Sequence, residues 1–200
     1  MLLKSGRRLD LLNPHPNAWT DEDLATRLSR TYRWGSDSRW EHPLSVAQHS
    51  LTVLHLRDAL SDGPLTPGER LRELLHDADE GLLHYDAITP IKPHLGQGYA
   101  RVVRRLRRAI DARYDLPEWD PASLAAHKHA DRLAAASEAS HVVGWSEIDL
   151  RESLGITLRS LTSDPLPPRP GLEPWEPWPS RLAASAFLEL LLLLQREARG

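Results

Sequence analysis

The sequence predicts an all-α protein that folds as one helical bundle, and three observations support this prediction. Apolar residues recur at helical spacing along most of the chain, whereas sustained alternation with a period of two is absent. Residues that suit helix N-caps stand immediately before these segments. The 200 residues, of which 40% are hydrophobic and 26% charged, suit a single domain with one core. We therefore expect six or more helices in one domain over residues 1–200.

The first two helices are predicted from their N-caps. Thr20 precedes an acid-rich segment, and we expect a helix over residues 21–33. Ser45 and Gln48 have the spacing of a capping box and open a helix that reaches about Leu60. Both segments carry apolar residues three or four positions apart, which is typical of helices with one buried face.

Four further helices are expected in the rest of the chain. Residues 66–69 supply a cap, a proline at the first helical position and a glutamate at the third, and together they start a helix. We expect this helix to extend beyond residue 76, so that His76 and Asp77 lie near its end. Three more helices are predicted over residues 96–114, 121–143 and 180–199.

A proline-rich segment separates the last two of these helices. Residues 164–179 contain seven prolines, so we expect an irregular arm there. Trp175 and Trp178 lie within the arm and are expected to pin it to the body of the protein. The last helix contains the apolar run 188–194, which is wide for one face and favours burial against the bundle or against a second copy of the chain. A homo-oligomer is therefore compatible with the sequence.

The composition narrows the classes of function and the compartment. The formal net charge is −3, which argues against a general nucleic-acid coat, and we expect no duplex partner. The chain has no cysteine, so disulfides, thiolate metal sites and cysteine nucleophiles are excluded. The N-terminus lacks the apolar run of a signal peptide, and no segment approaches the ~20 apolar residues of a membrane span. We expect a cytoplasmic protein without a membrane partner.

Histidines and carboxylates provide the strongest chemical signal in this sequence, which has ten histidines. His49 lies early in the second predicted helix, and the adjacent pair His76-Asp77 lies near the end of the third. Glu80 follows His76 by four residues, which would place both on one helix face. Asp131 lies in an apolar stretch of the 121–143 helix, where a carboxylate needs a partner. Each residue alone has an ordinary structural explanation, so the prediction of a metal site depends on their combination.

Two further patterns have competing interpretations. His127 stands four residues before Asp131, and this spacing would itself let the two bind an ion on one helix face. Residues 101–108 include five arginines, for which a solvated helix face is the simplest interpretation. Two alternatives are that these arginines attract a triphosphate or that they contact a second copy of the chain.

Four segments keep a recognisable order and spacing along the chain, and three of them carry these histidines and carboxylates. The four segments are Ser45-Val46-Ala47-Gln48-His49-Ser50, Leu74-Leu75-His76-Asp77-Ala78-Asp79-Glu80, Thr89-Pro90-Ile91-Lys92 and Lys128-His129-Ala130-Asp131-Arg132-Leu133. In this order they resemble the HD-domain metal-dependent phosphohydrolases, and more narrowly the small bacterial and phage branch that hydrolyses deoxynucleotides. The resemblance covers about residues 4–140.

The resemblance implies a bundle of helices with one divalent ion at its centre, which would be Zn, Mn, Co, Fe or Ni. Catalytic roles would fall to Glu80 and Asp86, although segment 81–86 is one residue longer than the usual spacing. The pair Arg39-Trp40 is an alternative to Arg33-Trp34 for contact with the substrate. The residues implied are the metal ligands His49, His76, Asp77 and Asp131 and the substrate contacts Arg33, Trp34, Thr89 and Lys92.

The activity implied by the resemblance is hydrolysis of a deoxyribonucleotide. The substrate would be a triphosphate such as dATP, cleaved to deoxynucleoside and tripolyphosphate, or a monophosphate, cleaved to deoxynucleoside and phosphate. A metal-bound water would supply the nucleophile, because a divalent ion lowers the pKa of water from about 15.7 towards 7. A nucleotide phosphodiesterase and a non-catalytic nucleotide sensor with the same fold are the alternatives.

Overall fold

The computed structural model describes residues 1–88 and 90–200, and within these residues the secondary structure is helical. Extended pairing in the described residues is limited to two isolated bridges, one between Leu2 and Arg8 and one between Tyr32 and Ser45. The predicted all-α class is therefore confirmed. The α-helices of the described residues are α1 (Asp21–Leu28), α2 (Val46–Leu60), α3 (Pro67–Leu74), α4 (Ala78–Leu83), α5 (Gly96–Tyr114), α6 (Pro121–Glu138), α7 (Glu147–Leu154) and α8 (Ser180–Arg199).

The predicted N-caps are present, with one difference. Thr20 and Thr66 each form a reciprocal capping box with the third helical residue. Ser45 accepts a hydrogen bond from the Gln48 backbone, but the Gln48 side chain is engaged elsewhere. It donates to the Glu176 carbonyl at 3.2 Å and accepts from the Trp178 backbone N–H at 2.7 Å. The predicted capping box at Ser45 is thus only half formed, because Gln48 holds the proline-rich arm.

The helices differ from the sequence prediction at four places. α1 ends at Leu28 rather than at residue 33, because Thr31 and Arg33 form backbone hydrogen bonds with the segment that leads into α2. The predicted third helix is interrupted after Leu74 and resumes as α4 at Ala78. α7 was not predicted. The predicted helix over 121–143 is present, but its last turn, Ala139–Val143, is a π-helical turn.

The main core lies where α8 crosses α1 and α3. Phe187, Leu191 and Leu194 of α8 are fully buried against these helices, which confirms the predicted packing of the last helix on the bundle. Leu192 and Leu193 remain about 40% exposed on its outer side (41% and 40%). α2 packs between α3 and α6, so the start of α2, the end of α3 and the middle of α6 meet at one place.

The proline-rich arm follows the surface without regular structure. Both tryptophans that were predicted to pin it to the body of the protein do so. Trp175 stacks on His141 with ring centroids 4.8 Å apart and an angle of 7° between the rings. Trp178 is buried in the main core. In residues 1–88 and 90–200, no helix has both the length and the hydropathy to cross a membrane.

Candidate metal centre

His76 and Asp77 occupy the break between α3 and α4, and not a helix as the sequence predicted. Leu75 leaves the helical region with φ −100° and ψ 10°, and Asp77 becomes the residue before α4. In this turn the His76 ring donates from Nδ1 to the Glu73 carbonyl at 2.8 Å. The opposite nitrogen, Nε2, then lies 3.2 Å from Asp77 Oδ2. The break therefore points an imidazole and a carboxylate at one position.

Two further side chains from α2 and α6 meet this pair. His49 Nε2 lies 3.3 Å from His76 Nε2 and 3.7 Å from Asp77 Oδ2. It also lies 3.2 Å from Asp131 Oδ1. Ligands that are each bonded to one ion at ~2.1 Å stand roughly 3.0–3.4 Å from one another in octahedral or tetrahedral geometry. The structure thus brings together the residues that the resemblance implied as ligands, with His49, His76 and Asp77 in the tightest group.

Both imidazoles are oriented by partners on their far sides. His49 Nδ1 donates to Glu138 Oε1 at 2.6 Å, and His76 Nδ1 donates to the Glu73 carbonyl. Because each Nδ1 is engaged, each Nε2 faces the cluster, where a neutral ring would offer its lone pair to a cation. A second hydrogen bond of this kind is the usual companion of metal-binding histidines.

The electrostatics of the cluster favour a positive charge at its centre. Burial and Arg33 lower the pKa of His49, but Glu138 and Asp131 raise it more strongly, to about 9. Burial raises the pKa of Asp131, but His49 and His76 lower it well below its ordinary value. The carboxylates thus make a positive charge between them favourable. A divalent cation would satisfy the same charge.

Glu73 forms a second buried network behind the cluster, and this network includes His127. The Glu73 carboxylate accepts from Arg57 Nε at 2.6 Å and from His127 Nδ1 at 2.7 Å. The His127 ring also packs against His76, with centroids 4.9 Å apart, and against Trp119 at 4.7 Å. His127 therefore supports His76 and Glu73. It lies outside the group of His49, His76 and Asp77, and its Nδ1 is engaged by Glu73 rather than directed at an ion shared with Asp131.

Glu80 lies in the first turn of α4, beside the cluster. It is 2% exposed, and its Oε1 accepts from Lys92 Nζ at 3.1 Å. Its Oε2 is buried and has no hydrogen-bond partner among the described residues. Burial, followed by the charges of Asp77 and Asp86, raises the pKa of Glu80 well above its ordinary value. The prediction that Glu80 shares a helix face with His76 is wrong, because the break separates them.

A cavity of about 850 Å³ opens directly beside the cluster. Asp77 and Asp131 line it on the cluster side. An apolar wall of the cavity includes Trp34 and Trp145, whose rings meet edge to face with centroids 5.6 Å apart. Ser153, Leu154 and Ile156, within or just after α7, close the same wall. Four cationic side chains also line the cavity: Arg33, Lys92, Lys128 and Arg132.

The remaining predicted site residues are the second catalytic candidate, Asp86, and the substrate contacts. Asp86 lines the cavity, as do Arg33, Trp34 and Lys92. In the alternative pair, the Trp40 indole N–H donates to the His141 carbonyl at 3.1 Å, and neither Arg39 nor Trp40 lines the cavity. The geometry favours Arg33 and Trp34 over that pair. Thr89 lies outside the residues that the structure describes.

Sequence reasoning missed three residues of this site. Glu138 follows Asp131 by seven residues, so it lies two helical turns further along the same face of α6. That spacing, in an alanine-rich segment, is a signal that could have identified it. Glu73 precedes His76 by three residues, but its role depends on the helix break. Trp145 belongs to a part of the chain for which neither periodicity nor a motif gave a signal.

Comparison with known proteins gives a family but no activity. No protein-family model matches this chain. An uncharacterized protein of Rhodobacter capsulatus is 40% identical to it over 152 residues, which is 76% of each protein.

Proposed function

We propose that this chain, which belongs to the same family as the Rhodobacter capsulatus protein, is a metal-dependent phosphohydrolase of deoxyribonucleotides. One observation carries the proposal: two imidazoles and two carboxylates converge beside a large cavity that is also lined by arginine and lysine. The resemblance of the motifs to the HD-domain phosphohydrolases supports the same interpretation.

The donor set suits one divalent ion such as Zn, Mn, Co, Fe or Ni. His49 and His76 offer nitrogen, Asp77 and Asp131 offer oxygen, and the two carboxylates balance a charge of 2+. When bound, such an ion would lower the pKa of a water ligand from about 15.7 towards 7 and would screen the charge of a phosphate.

Cationic side chains would bind and orient the phosphate. Arg33 lies at the boundary between the cluster and the cavity, with its NH1 3.8 Å from Asp77 Oδ2. Hydrogen bonds from a guanidinium to phosphate are charge-assisted and can be bidentate. Lys92 lies beside Glu80, and Lys128 and Arg132 extend the basic lining along α6. The lining also includes the carboxylates of Asp37 and Asp86, so product analysis has to separate a triphosphate from a monophosphate.

Glu80 is the group best placed to move a proton. Its Oε2 is buried and free of other hydrogen bonds among the described residues, and burial together with Asp77 and Asp86 raises its pKa. During hydrolysis the oxygen of water bonds to phosphorus, and the bond from phosphorus to the nucleoside oxygen breaks. Glu80 would donate its proton to that leaving oxygen and regain one from the attacking water. The products are a deoxynucleoside and phosphate or tripolyphosphate.

The apolar wall of the cavity suits the nucleoside end of the substrate. Trp34 and Trp145 present aromatic surface, and Leu154 and Ile156 add aliphatic surface. A base is flat and a deoxyribose lacks the 2′-hydroxyl, so both would pack on such a wall. The cavity volume lies within the ~300–1,000 Å³ that is usual for small-molecule sites.

The test is product analysis with defined metals. Metal-depleted protein is supplied in turn with Mn, Co, Zn or Mg and incubated with the four deoxynucleoside mono- and triphosphates and their ribose counterparts. Ion-pair chromatography then separates the products. His76→Ala should abolish both metal binding and turnover. His55→Ala is the matched control, because His55 lies further along α2 among Asp58, Arg70, Asp164 and Arg169, and should retain both.

Each outcome separates the candidate activities. Tripolyphosphate from a deoxynucleoside triphosphate identifies a triphosphohydrolase, and orthophosphate from a monophosphate identifies a 5′-deoxynucleotidase. Hydrolysis of bis(p-nitrophenyl) phosphate without nucleotide turnover would replace the proposal with a phosphodiesterase. Tight deoxynucleotide binding without product in every metal would replace it with a nucleotide sensor. Full activity of the metal-free protein would contradict the proposed role of the cluster.

A further inference from the structure

One buried carboxylate contacts both halves of the proposed active site. Glu138 is 1% exposed and lies at the last residue of α6, where the helix passes into its π-helical turn. Its Oε1 accepts from His49 Nδ1 at 2.6 Å, and its Oε2 accepts from Arg33 Nε at 2.9 Å. His49 belongs to the metal cluster, whereas Arg33 lines the cavity. A single side chain therefore determines the orientation of a metal ligand and of the phosphate-binding arginine.

We propose that Glu138 is a positioning residue that couples metal binding to phosphate binding. Through Oε1 it keeps the proton of His49 on Nδ1, so that Nε2 faces the metal position. Through Oε2 it holds the Nε edge of the Arg33 guanidinium, so that NH1 lies towards Asp77 and the cavity. The inference rests on the proposed function, because it assumes that the cluster binds a cation and that Arg33 binds phosphate.

The chemistry of Glu138 cannot be reproduced by an amide of the same shape. A carboxylate accepts hydrogen bonds at both oxygens, whereas a glutamine side chain has one acceptor and one donor. If the amide nitrogen of Glu138→Gln faces His49 Nδ1, the ring proton is forced onto Nε2 and blocks the metal position. If it faces Arg33 Nε, two donors oppose each other and the guanidinium loses its partner. Each orientation of the amide therefore disrupts the contact with either His49 or Arg33.

The experiment measures the two binding events separately in wild type and Glu138→Gln. Co²⁺ is titrated into metal-depleted protein and followed by its visible absorption spectrum, which reports both affinity and ligand geometry. Inorganic phosphate is then titrated calorimetrically into the metal-saturated protein. Asp21→Asn is the matched control, since Asp21 is also an arginine-paired carboxylate but lies on α1 against Arg113.

We expect Glu138→Gln to bind Co²⁺ about 10- to 100-fold more weakly, which is the usual effect of losing the partner of a metal-binding histidine. At metal saturation it should also bind phosphate at least several-fold more weakly, with an altered cobalt spectrum. Asp21→Asn should bind both like wild type. Unchanged affinity for cobalt, or weaker cobalt binding with unchanged phosphate binding, would overturn the coupling.

A second measurement needs no variant, in case Glu138→Gln does not fold. ¹⁵N NMR of the zinc-loaded wild type, labelled at both histidine and arginine, should show the His49 proton on Nδ1, in a strong hydrogen bond. Addition of inorganic phosphate should shift this proton and the Arg33 Nε–H together. A His49 proton on Nε2, or a response of Arg33 alone, would refute the proposal. Wild-type protein that binds no divalent ion would instead contradict the proposed function.

Discussion

Replacement of Gly81 by alanine tests how closely α4, which carries Glu80, packs on α1. A β-carbon at Gly81 would lie 2.6 Å from Leu28 Cγ and 2.7 Å from Leu28 Cδ2. Leu28 is fully buried, so its side chain has little room to move away. The Gly81 carbonyl also accepts a hydrogen bond from Arg27 Nε at 2.9 Å, which ties the two helices together. The close approach of the helices thus depends on the missing side chain.

Two opposing terms determine the free energy of unfolding of Gly81→Ala. Alanine gains about 1 kcal/mol over glycine in helix propensity. Overpacking of a buried contact costs about 1–3 kcal/mol. Because both clashing atoms belong to one branched and buried side chain, we expect the cost to exceed the gain. The difference is a net destabilisation of up to about 2 kcal/mol, which lowers the Tm of a 200-residue chain by up to about 8 °C.

Urea denaturation of a double-mutant cycle isolates the clash. Leu28→Ala alone should cost about 2–5 kcal/mol, because it opens a cavity in the core. In that background the two closest clashes are removed and the remaining close atom is the Leu28 backbone nitrogen, at 3.3 Å. Gly81→Ala should therefore be much less destabilising there than in the wild type. The reasoning is refuted if Gly81→Ala is at least as stable as wild type, or if its effect is the same in both backgrounds.

Three further predictions concern charge, substrate contact and metal. Burial raises the pKa of Asp21, but hydrogen bonds from Gln195 and Arg113 lower it more, to below its ordinary value. The carboxylate therefore stabilises the fold above the unfolded-state pKa of about 4, and this contribution is lost as the pH falls through the folded-state pKa. Asp21→Asn should lower the free energy of unfolding by about 1 kcal/mol at pH 7, and chemical denaturation should show the difference shrinking towards pH 3. Trp145→Ala should raise KM for deoxynucleotides about tenfold in steady-state kinetics, while the affinity of the metal-saturated protein for inorganic phosphate stays unchanged in calorimetry. Mn²⁺ at 100 times its Kd should stabilise the wild type by about 2.7 kcal/mol in thermal melts, and chelation should remove this gain.

Local signals in the sequence were sufficient for most of the fold. The caps at Thr20 and Thr66 and the proline at the start of α6 act within one helical turn, so they can be recognised without tertiary information. The apolar pattern of α8 likewise predicted its burial. α7 has a local signal that the sequence prediction did not use, because Ser146 and Asp149 form a capping box at its start. Four of its eight residues are charged and it is mostly exposed, so its position depends on Leu150 packing beside α6.

The candidate site shows the limit of such local reasoning. The motifs selected His49, His76, Asp77 and Asp131, but periodicity placed two of them on a helix that the structure interrupts. The break lets His76 donate to the Glu73 carbonyl and face His49, which is 27 residues away along the chain. Helix propensity and apolar periodicity contain no information about a contact with such a distant residue.

The sequence alone determined that the chain is helical, where most helices begin and which imidazoles and carboxylates are candidates for a metal site. These properties depend on neighbours within a few residues. Only the tertiary structure decided that His76 and Asp77 lie in a turn, that Glu138 bridges His49 and Arg33, and that Trp145 faces the cavity. The partners of Glu138 lie 89 and 105 residues away along the chain, so the packing of α2 and α6 has to form before their contact exists.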